Sequence, residues 1–360
     1  MSQAKPPSVD PDAVDEYADA QPLDDQERVR LETQLHQLKD KLRRSDADTH
    51  LLRQELWLSE RRIELLASAN EPVRAPKIRP KGKGKRNQAT AFLIASDWHV
   101  EEQVDPKTVN FRNEYNPEVA EERGELFFKN SLRLIEIQRS GTQIDTVVLA
   151  LLGDMVSGYI HEELVEANYL SPTEAIRLAQ RMLVRGIDLL LSRGDLERLV
   201  IPCCFGNHGR TTNKRRISTG SKNSFEWLMY HTLADHYRGE SRVEFIIADG
   251  AHVYLDCYGV EVRFTHGDDL RYQGGIGGIT IPLRKATDSW DQFKRAGLTV
   301  FGHWHVLDNY GAWAVGNGSL IGYNAYALSI KARFEPPQQA FFLIDSERKR
   351  KTGAFPIFVT

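Results

Sequence analysis

Two hydrophobic rhythms divide the chain. In the first quarter, Leu31, Leu35, Leu38 and Leu42 step by four, three and four residues, and the same register takes in Leu52, Leu56, Ile63 and Leu66. The a positions are Arg28, Leu35, Leu42, Thr49, Leu56 and Ile63, and the d positions are Leu31, Leu38, Ser45, Leu52, Ser59 and Leu66. Eight of these twelve are Leu or Ile, and residues 28–69 contain no Gly or Pro. A narrow a/d seam with charge on the other faces predicts a coiled coil over 28–69, about 60 Å long at 1.5 Å per residue. The alternative is one amphipathic helix lying on the globular body, and the narrowness of the seam favours self-association over it. Ser45, Thr49 and Ser59 weaken the middle.

From residue 91 the rhythm becomes short apolar runs. AFLIAS, TVVLALL and LVIPCC read as strands, separated by helical patterns around 117–139 and 172–192. Strands alternating with helices imply parallel βαβ units. The later runs (VEFIIAD, HVYLDCYG, VEVRFTHG, LTVFGHW, AWAVGNGSLIG, QAFFLID and AFPIFV) read as strands with short turns. The body over 91–360 is therefore expected to begin α/β and end β-rich.

Charge changes the picture at the N-terminal side. Residues 1–27 carry eight acids and one base, interrupted by Pro6, Pro7 and Pro11, which predicts a disordered tail. Residues 70–90 hold seven bases after Glu71 (Arg74, Lys77, Arg79, Lys81, Lys83, Lys85 and Arg86) with Pro and Gly interleaved. This reads as a flexible basic linker, either a spacer or a contact for nucleic-acid phosphates. The net charge of −3 over 360 residues hides that segregation. No apolar run approaches the roughly 20 residues of a membrane helix, and no signal peptide or membrane association is expected. Cys203, Cys204 and Cys257 give no disulfide framework, which predicts a reducing, cytoplasmic setting.

The candidate chemistry stands at strand ends. The first strand ends in Ser96-Asp97-Trp98-His99, the second in Gly153-Asp154-Met155-Val156-Ser157 and the third in Gly206-Asn207-His208-Gly209. Later strands give Thr265-His266-Gly267-Asp268 and Gly302-His303-Trp304-His305. In open α/β sheets ligands bind at the carboxyl ends of strands, so these clusters point to one shared site. Asp97, His99, Asp154, Asn207, His266, His303 and His305 are oxygen and nitrogen donors without thiolates. That set suits Mn, with Fe, Zn, Ni or Mg as alternatives, and seven ligands suit two ions better than one.

The order Asp-x-His, Gly-Asp, Gly-Asn-His, His-Gly and Gly-His-x-His resembles the calcineurin-like metallophosphoesterase superfamily. The resemblance covers residues 91 to about 307 by motif. It implies a four-layer αββα sandwich, here with an N-terminal coiled-coil helix, and a binuclear metal centre. It implies that Asp97, His99 and His305 hold one metal, that Asp154 bridges, and that Asn207, His266 and His303 hold the other. A hydroxide bridging the two ions would attack phosphorus, with His208 stabilising the pentavalent state or protonating the leaving oxygen. Many members carry an acid directly after Gly-Asn-His, which can orient the histidine; here Gly209 follows, and Asp268 and Asp269 are the candidates to supply that support.

The Ser/Thr phosphatase branch extends Gly-Asp with Asp-Arg-Gly and places Glu after Gly-Asn-His, so this chain departs from it. The lipid-precursor hydrolase branch carries Arg where His208 stands. After the third cluster runs RTTNKRRISTGSKNS, with Arg210, Lys214, Arg215 and Arg216 as candidate phosphate contacts. These bases favour a nuclease acting on nucleic-acid phosphodiesters. A small-nucleotide phosphodiesterase or phosphomonoesterase is the alternative, and a silent accessory protein ranks last because all seven ligands are present. Trp98 and Trp304 are expected in the core rather than stacked on bases. His161 is expected on the surface at a helix start, Arg348 to Lys351 at a hairpin tip, and 274–278 in a mobile loop.

Overall fold

The structure is a computed structural model that describes residues 30–42, 49, 76–80, 87–271 and 278–360. The chain divides into two units, Met1–Val73 and Arg74–Thr360. In the first, residues 30–42 form helix α1, whose Leu31, Leu35, Leu38 and Leu42 are 49–63% exposed. Apart from residue 49, the remainder of the expected coiled coil and the acidic tail lie outside the described residues.

The second unit is a two-sheet sandwich. Strands β1 (Lys77–Ile78), β2 (Gln88–Ala95), β3 (Gln143–Leu151), β4 (Arg198–Cys203), β5 (Val243–Ile247), β6 (Val253–Cys257), β7 (Val260–Thr265), β8 (Leu298–Phe301), β9 (Asp308–Tyr310), β10 (Ala314–Gly316), β11 (Gln338–Asp345) and β12 (Arg350–Phe358) divide equally. One sheet has the order β12-β11-β2-β3-β4-β5, with β2 through β5 parallel, and the other has the order β1-β6-β7-β8-β10-β9.

Alternation along β2 shows how one strand serves two cores. Phe92 and Ile94 face the second sheet, where they join Val148, Leu255, Val262, Phe264 and Val300 in a buried layer. Ala91, Leu93 and Ala95 face outward, onto the helices. There α2 (Pro117–Arg139) and α4 (Pro172–Arg193) bury Phe127, Phe128, Leu183 and Ile187. Both helices start with Pro at their first position. Asn116 caps α2 by accepting from Val119 N, and Ser171 with Glu174 forms a capping box on α4. On the far side α6 (Thr280–Trp290) sets Leu283 against Phe301 and Leu270. The four layers are those expected of the αββα sandwich.

Several details depart from the sequence reading. Lys77 and Ile78, inside the stretch read as linker, pair in parallel with β6, and Ile78 is buried. The β-rich second half contains α6 and is preceded by α5 (Phe225–His236), neither of which was expected. α5 is apolar on several faces and shows no clean period, although Ser224 caps it by accepting from Trp227 N. Short α3 (Glu162–Ala167) begins after His161, which is exposed as expected, and α7 (Ala325–Ser329) is a single turn. Arg348 to Lys351 lies at the β11–β12 turn, and all but the last residue of the 274–278 loop is outside the described residues. Among the described residues, no helix is long and apolar enough to cross a membrane, and all three cysteines are buried and free.

Candidate metal centre

Five strand ends deliver the candidate ligands to one edge of the sandwich. Asp97 and His99 follow β2, Asp154 follows β3, Asn207 follows β4, His266 follows β7, and His303 and His305 follow β8. β2, β3, β4 and β8 end in buried apolar runs, and β7 buries Val262 and Phe264, so the core fixes their register before the candidate ligands emerge. The turns are sharply bent: Asp97, His99, Asp154, His303 and His305 have φ of 57°, 49°, 50°, 67° and 53°.

Two glycines let the central turns touch. A Cβ on Gly206 would lie 2.1 Å from Asp154 Oδ1 and 2.4 Å from Asp154 N. Gly153, at φ +84°, would place a Cβ 2.2 Å from Gly206 N. Only residues without a side chain permit this approach.

The structure brings the ligands into two groups. Asp97, His99 and His305 offer atoms within 4.8 Å of one another, as do Asp154, His266 and His303. Asn207 joins the second group, with Oδ1 3.0 Å from His266 Nε2. Asp154 Oδ2 lies 3.0 Å from the same nitrogen, while Asp154 Oδ1 accepts from His208 N at 2.8 Å. Asp97 Oδ1 is 3.4 Å from His305 Nε2, and the Asp97 carboxylate accepts from His303 N at 2.9 Å.

The outer nitrogens of two histidines are held by the protein. His266 Nδ1 donates to the Leu152 carbonyl at 2.7 Å. His99 Nδ1 lies 2.8 Å from Ser157 Oγ, whose own hydrogen goes to Glu102 Oε2 at 2.8 Å. His99 Nδ1 is therefore the protonated nitrogen, and its Nε2 carries the lone pair. That Nε2 is buried and has no hydrogen-bond partner. An unsatisfied imidazole lone pair beside Asp97 and His305, with its opposite nitrogen fixed by a hydroxyl–carboxylate relay, is the arrangement of a metal ligand. The donor set is all oxygen and nitrogen, so the residues fit two divalent cations of the Mn, Fe or Zn type.

Electrostatics agree with a cation-binding cavity. Burial alone would raise Asp154, but the charges of His266 and His208 outweigh it and hold the carboxyl well below the usual carboxylate range. Burial raises Asp97 in the same way, and His305 reverses that. His99 is pushed well below the ordinary imidazole value by burial and then by the His208 charge, which keeps it neutral and able to ligate.

His208 stands outside both groups, with its ring perpendicular to that of His99 and 4.9 Å away between centroids. Its Nδ1 donates to the Ser157 carbonyl at 3.0 Å, which leaves Nε2 for a substrate. Asp268 and Asp269, the expected supports for His208, instead grip Arg215: Nε lies 2.8 Å from Asp268 Oδ2, and a second nitrogen 2.5 Å from Asp269 Oδ1. Arg215 is the nearer cation to those acids, and a backbone carbonyl takes the role at His208.

The basic loop behaves unevenly. Arg210 donates to the carbonyls of Asn207, Thr212 and Asn213, so it braces its own loop. Lys214 and Arg216 are exposed. A cavity of about 70 Å³ lies between this loop and Asn207, His266, Asp268 and Asp269. Trp98 is wholly buried edge-on to Phe127 and Phe128, a core role. Trp304 packs beside Leu270 and Leu283 and donates to the Gly267 carbonyl.

Sequence reasoning missed three carboxylates. Glu102 anchors the relay to His99. Glu101 is buried, accepts from Ser157 N and Gly158 N at 2.8 Å, and is pushed up to about 8 by burial. Glu226, on α5, accepts from Met155 N and Gly206 N, and burial followed by the Asp154 charge pushes it up to about 7. The adjacent pair Glu101-Glu102 two residues beyond His99 was the only signal available for the first two.

No family model matches the chain, and no curated protein does. Loose overlaps exist with solved structures. A hypothetical protein from Pyrococcus horikoshii is 12% identical with a TM-score of 0.34, over 75% of this chain and 88% of that one. Chaetomium thermophilum Vps29 is 9% identical with a TM-score of 0.28, over 74% and 95%. A dimetal phosphatase from Danio rerio is 10% identical with a TM-score of 0.33, over 75% and 99%. The family resemblance rests on the chain's own residues. By the order of its five candidate ligand clusters, the two sheets that carry them and the paired groups they form, the chain is similar to the calcineurin-like metallophosphoesterase superfamily in fold and in the placement of its candidate metal ligands.

Proposed function

We propose that this chain is a two-metal phosphodiesterase that hydrolyses nucleic-acid phosphodiester bonds. The observation that carries the reading is the pair of ligand groups, Asp97-His99-His305 and Asp154-His266-His303, with His208 beside them. Asn207 would complete the second group, and Asp154 would be the residue shared between the two cations. Two bound cations would lower the pKa of a water and neutralise charge on the phosphoryl oxygens. The protein's own contribution is to fix the ligands, exclude competing protons from His99 Nε2 and present His208. With Nδ1 tied to Ser157 O, His208 offers Nε2 to the leaving oxygen as a proton donor, or to the phosphoryl oxygens as a hydrogen bond.

Exposed Lys214 and Arg216 support a polyanionic substrate, because the loop that bears them leaves the site directly after His208. Arg215, already paired with Asp268 and Asp269, is engaged within the protein rather than free for a polymer backbone, which favours a small nucleotide as the second reading. We also read α1 as the start of a self-association helix, since its four leucines lie on one stripe and remain about half exposed.

The test is Mn-dependent hydrolysis of bis-p-nitrophenyl phosphate against p-nitrophenyl phosphate, followed by labelled single- and double-stranded DNA and RNA. A diester preference with polymer cleavage supports the reading, and activity on mononucleotides alone transfers it to the second. Asp154→Ala should abolish turnover, and full turnover in that variant would sink the two-metal reading. His208→Asn should lower kcat by about 10²–10⁴-fold while cation binding persists.

A further inference from the structure

Glu226 ties together the two turns that carry Asp154 and Asn207. It sits in the first turn of α5 with no exposed surface. Its Oε1 accepts from Met155 N and its Oε2 from Gly206 N, both at 2.6 Å. Met155 directly follows Asp154, and Gly206 directly precedes Asn207. One carboxylate therefore clamps the ends of β3 and β4 to each other, behind the ligands rather than among them.

Gly209 explains why this carboxylate comes from a distant helix. A Cβ on Gly209 would lie 2.7 Å from Glu226 Cγ, 3.0 Å from its Cδ and 3.4 Å from its Oε2. The start of α5 is locked onto the same turn, because Phe225 N donates to the Gly209 carbonyl at 2.9 Å and Arg210 bridges to Ser224. The space that a side chain at 209 would enter is filled by Glu226. A glutamate at 209 would have its carboxylate within reach of the same two backbone N–H groups.

We propose that Glu226 is a positioning carboxylate of the candidate metal centre, seated in the volume that a side chain at position 209 would enter. It rests on the two-metal reading above. It sets the separation of Asp154 and Asn207 and does not touch substrate or cation. The expectation differs from that for an ordinary buried acid: the role should be transferable from 226 to 209, since both positions address one volume.

The experiment measures Mn²⁺ binding to the full chain by calorimetry, with thermal unfolding as the fold control, for wild type, Glu226→Gln, Glu226→Ala, Gly209→Glu and the Glu226→Ala/Gly209→Glu double variant. Glu226→Gln keeps the shape but turns an amide donor toward one N–H, and it should weaken Mn²⁺ binding by roughly 10–100-fold in a folded protein. Glu226→Ala should lose at least as much. Gly209→Glu alone should also lose, because two carboxylates compete for one space. The double variant should recover to within several-fold of wild type. Wild-type affinity in Glu226→Gln, or a double variant no better than the worse single, overturns the proposal. If Glu226→Ala does not fold, recovery of folding and Mn²⁺ binding in the double variant still supports the transfer, and an unfolded double variant overturns it. If wild type takes up no Mn²⁺, the two-metal reading itself fails, a result distinct from failure of the swap.

Discussion

The imidazole rings of His99 and His208 stand perpendicular, 4.9 Å between centroids, and both are held by Ser157. The hydroxyl of that residue serves His99, and its carbonyl serves His208. One residue therefore sets the orientation of a candidate ligand and of the candidate proton donor. Ser157→Ala removes the first contact and leaves the second. Mn²⁺ titration of this variant should show roughly 10-fold weaker uptake. Unchanged Mn²⁺ affinity would show that the Glu102–Ser157–His99 relay is not needed.

Gly206 leads to a second expectation. Alanine there cannot be accommodated by a side-chain shift, because the added carbon meets Asp154 N as well as Asp154 Oδ1. Gly206→Ala should lower stability by about 1–3 kcal/mol or more in denaturant unfolding, and Mn²⁺ binding should fall with it. A variant with native stability and native affinity would mean that the two turns can move apart.

The salt response of hydrolysis separates the substrate readings. Each phosphate contact made by Lys214 or Arg216 should contribute about 0.7–0.9 to the slope of log affinity against log salt. Replacing both by alanine should flatten that slope for a polymer and leave bis-p-nitrophenyl phosphate unaffected. Equal slopes before and after would remove the loop from the binding surface.

His252 provides a pH handle away from the metal centre. It packs against Trp290 at 4.6 Å, and burial, followed by the Arg263 charge, pushes it down to about 4. The unfolded chain takes up this proton near pH 6.5 and the folded chain does not, so the imidazole costs stability as pH falls from 6.5 toward 4. The shift corresponds to at most about 3 kcal/mol. His252→Phe should reduce the loss of Tm between pH 7 and pH 5, and an identical pH profile in the variant would refute the assignment.

Self-association is tested on α1. Leu35→Asp with Leu38→Asp places charge on the seam of α1. Sedimentation should show a multimer for the parent chain and a monomer for the variant, and a monomeric parent would end the coiled-coil reading.

Much of this architecture was written locally. β2, β3 and β4 could be read because each is a buried apolar run that ends abruptly in polar residues, and the same abrupt ends name the candidate ligands. α5 and α6 could not be read that way: α5 lacks a clean period, and α6 follows a glycine-rich stretch without a strong cap. Glu226 was invisible for a different reason. Its role exists only after α5 packs beneath two turns that precede it in the chain, and a lone Glu in an apolar helix carries no such signal. Arg215 shows the converse, since a base that looks available in sequence is already paired with Asp268 and Asp269 in the folded chain.

The left-handed backbone at Asp97, His99, Asp154, His303 and His305 has an evolutionary reading. Aside from glycine, Asp, Asn and His are the residues that enter that region most readily. The side chains that tolerate the bend are thus the same ones that bind cations. Glycine would keep the loop shape but offer no donor atom, and a branched residue would lose both. Exchange among Asp, Asn and His would keep both the bend and a donor atom. Preference for one cation over another can change while the turns that frame it stay as they are.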